Sequence, residues 1–248
     1  MENVIIEVCV DSIASAVAAE RGGASRVELC CDLLEGGVTP SAGMIQAARC
    51  KIRIGLQVLI RPRGGDFCYA EEEMDVMVRD ILLAKNAGAE GVVLGVLQTS
   101  GHVDVPQTRR LIESARPMNV TFHRAFDMSA EPLSSLEDVC AAGADRILTS
   151  GGEQTCMQGM GTIAQLVQAA RGRISIMAGG GINHKEAAAI VAGTGVREIH
   201  VGLSTSMESP ALYRNPRVSL GKAQGREYQR HQVFEESVRR LRESLASN

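Results

Sequence analysis

Short runs of β-branched and aliphatic residues alternate along this chain with longer, Ala-rich stretches whose apolar positions recur every three or four residues. The first kind of segment suits a buried strand, the second an amphipathic helix that covers it. The pattern predicts strands near 4–8, 26–30, 55–60, 91–96, 120–123, 146–149, 175–178 and 198–201. Helices such as 72–86, 105–115 and 162–170 fall between them. Alternating βα units build a parallel sheet, and eight strands in 248 residues leave about 31 residues per unit, as a (β/α)8 barrel needs.

A repeat supports closure. GGASRVEL, AGAEGVVL, AGADRILT and GTGVREIH share one grammar, in which a helix stops on Gly and a strand begins shortly after. Glycine just past a helix adopts the left-handed backbone that ends it. The stops at Gly23, Gly88, Gly143 and Gly195 lie 65, 55 and 52 residues apart, two βα units each time, ahead of the second, fourth, sixth and eighth strands. An open doubly wound sheet shares the alternation but does not naturally repeat in this way. The expectation is therefore one (β/α)8 TIM barrel over 1–248. The segment 204–230, with Pro210 and Pro216, reads as a long loop after the last strand. A terminal helix over 231–246 follows, with Val238, Leu241 and Leu245 on one face.

Composition narrows the partners. A net charge of -3 gives no reason to expect nucleic acid or an anionic membrane. No apolar run approaches the roughly 18 residues of a membrane span. The stretch 1–10 carries Glu2 and Glu7 without a basic flank, so it reads as a strand and not a signal peptide. The expected location is the cytoplasm. Seven cysteines, at 9, 30, 31, 50, 68, 140 and 156, form no CxxC pair or zinc-finger spacing. They read as reduced thiols, several of them core filler.

Function in such a barrel gathers where strands end, on the C-terminal face. Glu7 and Cys9 end the first strand and Glu28 and Cys30 the second, each pair on one side of its strand. Arg61, Arg63 and Asp66 follow the third, and His123, Arg124 and Asp127 the fifth. Thr149 and Ser150 end the sixth strand, and His200 lies in the eighth. Cys9 and Cys30 on adjacent strands are soft donors of the kind that favours Cu(I). Glu7, Glu28, His123 and His200 suit a divalent cation or acid–base chemistry, and Arg61, His123 and Arg124 an anion. Gly179, Gly180 and Gly181 after the seventh strand, with Ser204 after the eighth, add a second anion-binding signal. The competing account is structural: the carboxylates and arginines pair within the barrel and the cysteines pack.

The segments EVCVDS (7–12), RVELC (26–30), EGGVTPS (35–41), IRPRGGDFCY (60–69), VTFHRAFDM (120–128), LTSGG (148–152) and AGGGI (178–182) closely resemble the CutC family. The likeness extends to YRN (213–215). The resemblance implies a (β/α)8 barrel, a homo-oligomer (homodimer or homotetramer), a role as a cytosolic copper homeostasis protein, and Cu(I) binding through Cys9 and Cys30. Cys31 points away from Cys30 and reads as packing. Two sulfurs do not account for the groups at 61–66 and 123–127. An enzyme acting on a small anionic or sugar-like substrate therefore stands as the alternative, with a scaffold surface as a third. In the enzyme reading Glu7, Glu28, Arg61, His123 and His200 are the catalytic groups, lining one cavity roofed by 204–230.

Overall fold

Eight parallel strands pair in chain order and close on themselves in a computed structural model that describes residues 4–220 and 225–246. The strands are β1 (Ile5–Val10), β2 (Arg26–Leu29), β3 (Gly55–Leu59), β4 (Gly91–Leu94), β5 (Asn119–Phe122), β6 (Arg146–Thr149), β7 (Ser175–Gly179) and β8 (Glu198–Val201). Closure is made by β8 against β1, with Glu7 opposite His200, while Cys9 lies opposite Glu28 on β2. The open-sheet alternative is thereby excluded. Helices α1 (Ile13–Gly22), α2 (Ala42–Lys51), α3 (Glu71–Asn86), α4 (Val105–Ala115), α5 (Pro132–Ala142), α6 (Met160–Ala170) and α7 (Ala187–Thr194) fill the crossovers.

The four repeat glycines all have positive φ, from 75° to 94°. Gly23 and Gly143 each return their N–H to carbonyls of the helix they end, so the chain turns at once into the next strand. One strand face packs outward against the helices: Ile6, Val8, Val27, Val58 and Ile147 share a continuous core with Ala16, Ile45, Ile81 and Leu136.

The inward face is not aliphatic at its lower end. Arg26 Nε meets Glu7 Oε2 at 2.5 Å and a terminal Arg26 nitrogen meets Glu198. Arg146 Nε contacts the same Glu198 at 2.6 Å, and the Ser175 hydroxyl donates to it. Every charge in this layer is paired, as burial requires.

The segment after β8 departs from the expected loop. Ser204–Glu208 (β9) and Gln229–Val233 (β10) form a two-stranded antiparallel ribbon, Ser204 opposite Val233 and Glu208 opposite Gln229. Positions 221–224 of the expected loop lie outside the described residues, as do 1–3 and 247–248. The terminal helix α8 runs Glu235–Ala246, so 231–233 belong to the ribbon and not to the helix. Val238 and Leu241 are buried and Leu245 packs at the core margin, as the amphipathic pattern requires. Among the described residues no helix is long and apolar enough to cross a membrane.

Candidate functional site

Parallel register brings the polar strand ends to one place. Cys9 near the end of β1 and Cys30 just past β2 have their sulfurs 3.6 Å apart. Cys9 also donates to Glu28 Oε1 at 3.8 Å. Across the closing seam, His200 Nδ1 lies 2.8 Å from Glu7 Oε1. Ligand atoms of Cys9, Glu28 and His200 all fall within 4.8 Å of one another. Leu59, Val93 and Leu33 pack around the two cysteines on their apolar side.

Above these groups opens a cavity of about 270 Å³, lined among others by Cys9, Glu28, Arg61, Phe67, His123, Arg124, Gly180, Gly181 and His200. Eight of the sequence-predicted residues thus converge. Glu7 does not line it: the carboxyl lies below, fully buried, in the ion-pair layer with Arg26. Cys30 sits behind Cys9 with no exposed surface. Gly179 belongs to β7, where an added Cβ would collide with Leu148, so packing accounts for this glycine. Ser204 starts the ribbon and borders a separate groove with Asp11, Asp32 and Arg230. None of the described residues of the expected roof over 204–230 lines the cavity; Leu33, Gly36 and Phe67 do. Cys31 places its sulfur 3.5 Å from that of Met44, a packing contact.

Environment divides these groups electrically. Burial alone would raise Glu7, but the His200 hydrogen bond and the Arg26 charge prevail and hold it at about 2. Burial raises Glu28 to about 7 against the opposing His200 charge. Burial disfavours charge on His200 too, yet Glu28, Cys9 and Glu7 outweigh it and push the imidazole up. The Cys9 thiol is pushed up by its contact with Cys30 and by burial.

His123 is the opposite case. Burial, with Arg61 beside it, lowers its pKa to about 3, so the ring is neutral. Its Nδ1 accepts the Ala125 N–H at 3.1 Å, which leaves the proton on Nε2. That Nε2 and the Arg61 Nε are buried and hydrogen-bond to nothing in the described chain. The terminal nitrogens of Arg61 donate to the carbonyls of Glu35, Gly37 and Gly65. Arg61 and the His123 ring both rest on Phe67, each 4.9 Å from its ring centre. Arg124 is held to the β6 end: its Nε meets Asp127 at 2.7 Å and a terminal nitrogen reaches the Ser150 hydroxyl. Asp127 also accepts the N–H of Ser150 and of Gly152, so it organises the rim without entering the cavity.

Sequence reasoning missed Arg26, Arg146 and Glu198, the partners that fix Glu7. It also missed Phe67, and Gly95, where an added Cβ would stand 2.7 Å from the His123 ring. Phe67 lies inside the segment IRPRGGDFCY, but nothing in the sequence pattern marks its stacking role.

Comparison with known proteins adds likenesses of family, sequence and fold. Residues 4–205 match the model of the CutC family. A copper homeostasis protein cutC homolog of Mus musculus is 48% identical over 88% of this chain and 80% of its own, and a family protein CutC of Chromobacterium violaceum is 44% identical over 97% and 98%. A solved structure from Streptococcus agalactiae, named for copper homeostasis protein CutC, superposes with a TM-score of 0.75 at 34% identity, covering 79% of this chain and 97% of that one. Thiamine phosphate pyrophosphorylase of Pyrococcus furiosus matches at a TM-score of 0.60 and 17% identity over 99% and 96%, a likeness of fold alone.

Proposed function

Since the chain belongs to the CutC family, we propose that this copper homeostasis protein takes up Cu(I) between Cys9 and Cys30 at the floor of the barrel mouth. The observation that carries the reading is the 3.6 Å separation of the two sulfurs. One ion can bridge thiols this close with little movement. Thiolates are the soft donors Cu(I) prefers, and Leu33, Leu59 and Val93 pack around the pair. Cys9 faces the cavity and is the first sulfur an entering ion meets; Cys30 completes the pair from behind. Uptake displaces the thiol protons, and Glu28, which accepts from Cys9, stands ready to receive one. His200 and Glu28 offer further nitrogen and oxygen donors within 4.8 Å of Cys9. On the family resemblance, the reading also takes the protein as a cytoplasmic homo-oligomer.

The test is a competition titration against a Cu(I) chelator under reducing conditions. Cys9→Ser/Cys30→Ser is expected to lose binding, because hydroxyls are hard donors. Cys50→Ser/Cys140→Ser, on the outer helices α2 and α5 and absent from the cavity lining, is expected to keep it. Equal binding by the two double variants would refute the sulfur pair. Copper capture leaves Arg61 and His123 without a task.

A further inference from the structure

We propose that Arg61 and His123 form a binding site for a small monoanionic carboxylate, on the cavity wall contributed by the β3 and β5 ends and apart from the cysteines. Three observations lead there. The first is charge. Arg61 is 6% exposed, and among the described residues no carboxylate forms an ion pair with it. Three backbone carbonyls accept from its terminal nitrogens, and the Tyr69 hydroxyl lies beside it; these hold the guanidinium in place without neutralising it. A buried charge of this kind is costly unless an anion joins it.

The second observation is a pair of idle donors. His123, also 6% exposed, is fixed by the Ala125 N–H as the tautomer with its proton on Nε2. Neither that Nε2 nor the Arg61 Nε finds an acceptor in the described chain. Orphaned buried donors are rare in folded proteins and call for a partner. Phe67 lies against both groups and holds them as one unit. A carboxylate has two oxygens and can accept from two donors at once.

The third observation is size and charge balance. A cavity of about 270 Å³ lies at the small end of ligand pockets, which suits a small occupant. The other two cationic groups of the lining are already paired, Arg124 with Asp127 and His200 with Glu7. One positive charge is left over, which matches a monoanion. A phosphate dianion would bring a second negative charge with no partner, close to Glu28.

This site makes no use of copper, so it stands or falls separately from the sulfur pair. Its test is a long-range 1H–15N spectrum of the histidine side chains, recorded on the metal-free reduced protein during titration with acetate or glycolate and, separately, inorganic phosphate. A saturable shift of the His123 Nε2 resonance with the carboxylates, weaker with phosphate, is expected. His123→Asn keeps an acceptor for the Ala125 N–H but lacks the Nε2 donor, and should weaken carboxylate binding at least about tenfold. Should that variant fail to fold, the wild-type titration still decides. Absence of a saturable shift with either carboxylate would overturn the proposal. Phosphate binding more tightly than both carboxylates, or unchanged carboxylate affinity in folded His123→Asn, would do so equally.

Discussion

Replacing Glu7 with Gln removes the charge that the lower barrel layer is built around. Glu7 has no exposed surface, pairs with Arg26 at 2.5 Å and accepts from His200. Its carboxyl titrates at about 2 in the fold against an ordinary 4.5. A carboxylate lowered in this way stabilises the protein above the unfolded pKa and loses that contribution as pH falls toward the folded one. At about 1.4 kcal/mol per pH unit, Glu7 contributes about 3 kcal/mol near neutrality. A second route gives a similar figure, since removing one partner of a buried ion pair typically costs about 3–5 kcal/mol. Here Arg26 retains Glu198, which favours the lower end. Urea unfolding at pH 7 should therefore show Glu7→Gln less stable by about 3 kcal/mol, with the same slope against denaturant. At pH 3 the gap should shrink to about 1 kcal/mol, because the wild-type carboxyl has by then lost most of its advantage. A loss below about 1 kcal/mol at pH 7, or a gap that widens in acid, would refute the structural role assigned to Glu7.

Other expectations follow from the same geometry. His123 is neutral in the fold, with its pKa at about 3, so the unfolded chain takes up its proton first. Its contribution to stability should fall as pH drops from about 6.5 toward 3, and His123→Asn should flatten that part of a stability–pH curve. Gly95→Ala places a Cβ 2.7 Å from the His123 ring and 3.0 Å from the Ala125 side chain, so it should cost about 1–3 kcal/mol in urea unfolding and weaken acetate binding. Gly22→Ala sets a Cβ 2.5 Å from Val238 Cβ and 2.7 Å from the Glu235 carbonyl. It should loosen α8 from α1, seen as faster proteolytic removal of the C-terminal helix, although Ala is the better helix former.

The barrel was legible because its two signals are local. Apolar periodicity separates strand from helix, and the glycines at 23, 88, 143 and 195 mark where each alternate helix must stop. The ribbon was not legible: 204–208 and 229–233 are polar on both faces, so neither alternation nor an apolar run announces them. The lower ion-pair layer was hidden for a different reason. Arg26, Arg146 and Glu198 each open a strand, where a charge reads as a solvent-facing end; only closure of the barrel turns them onto one another. Alternation correctly put Glu7 and Cys9 on one side of β1. It carries no measure of depth, and two residues along a strand separate the buried layer from the cavity floor. The same limit applies past strand ends, where Ser204 was expected beside the glycines of β7 and instead borders another groove.

X-ray absorption at the copper edge, on reduced protein loaded with one equivalent of Cu(I), tests copper capture most directly. Two sulfur neighbours are expected in the wild type, both lost in Cys9→Ser/Cys30→Ser and both retained in Cys50→Ser/Cys140→Ser. A copper environment of nitrogen and oxygen alone, or one unchanged by the loss of Cys9 and Cys30, would contradict it.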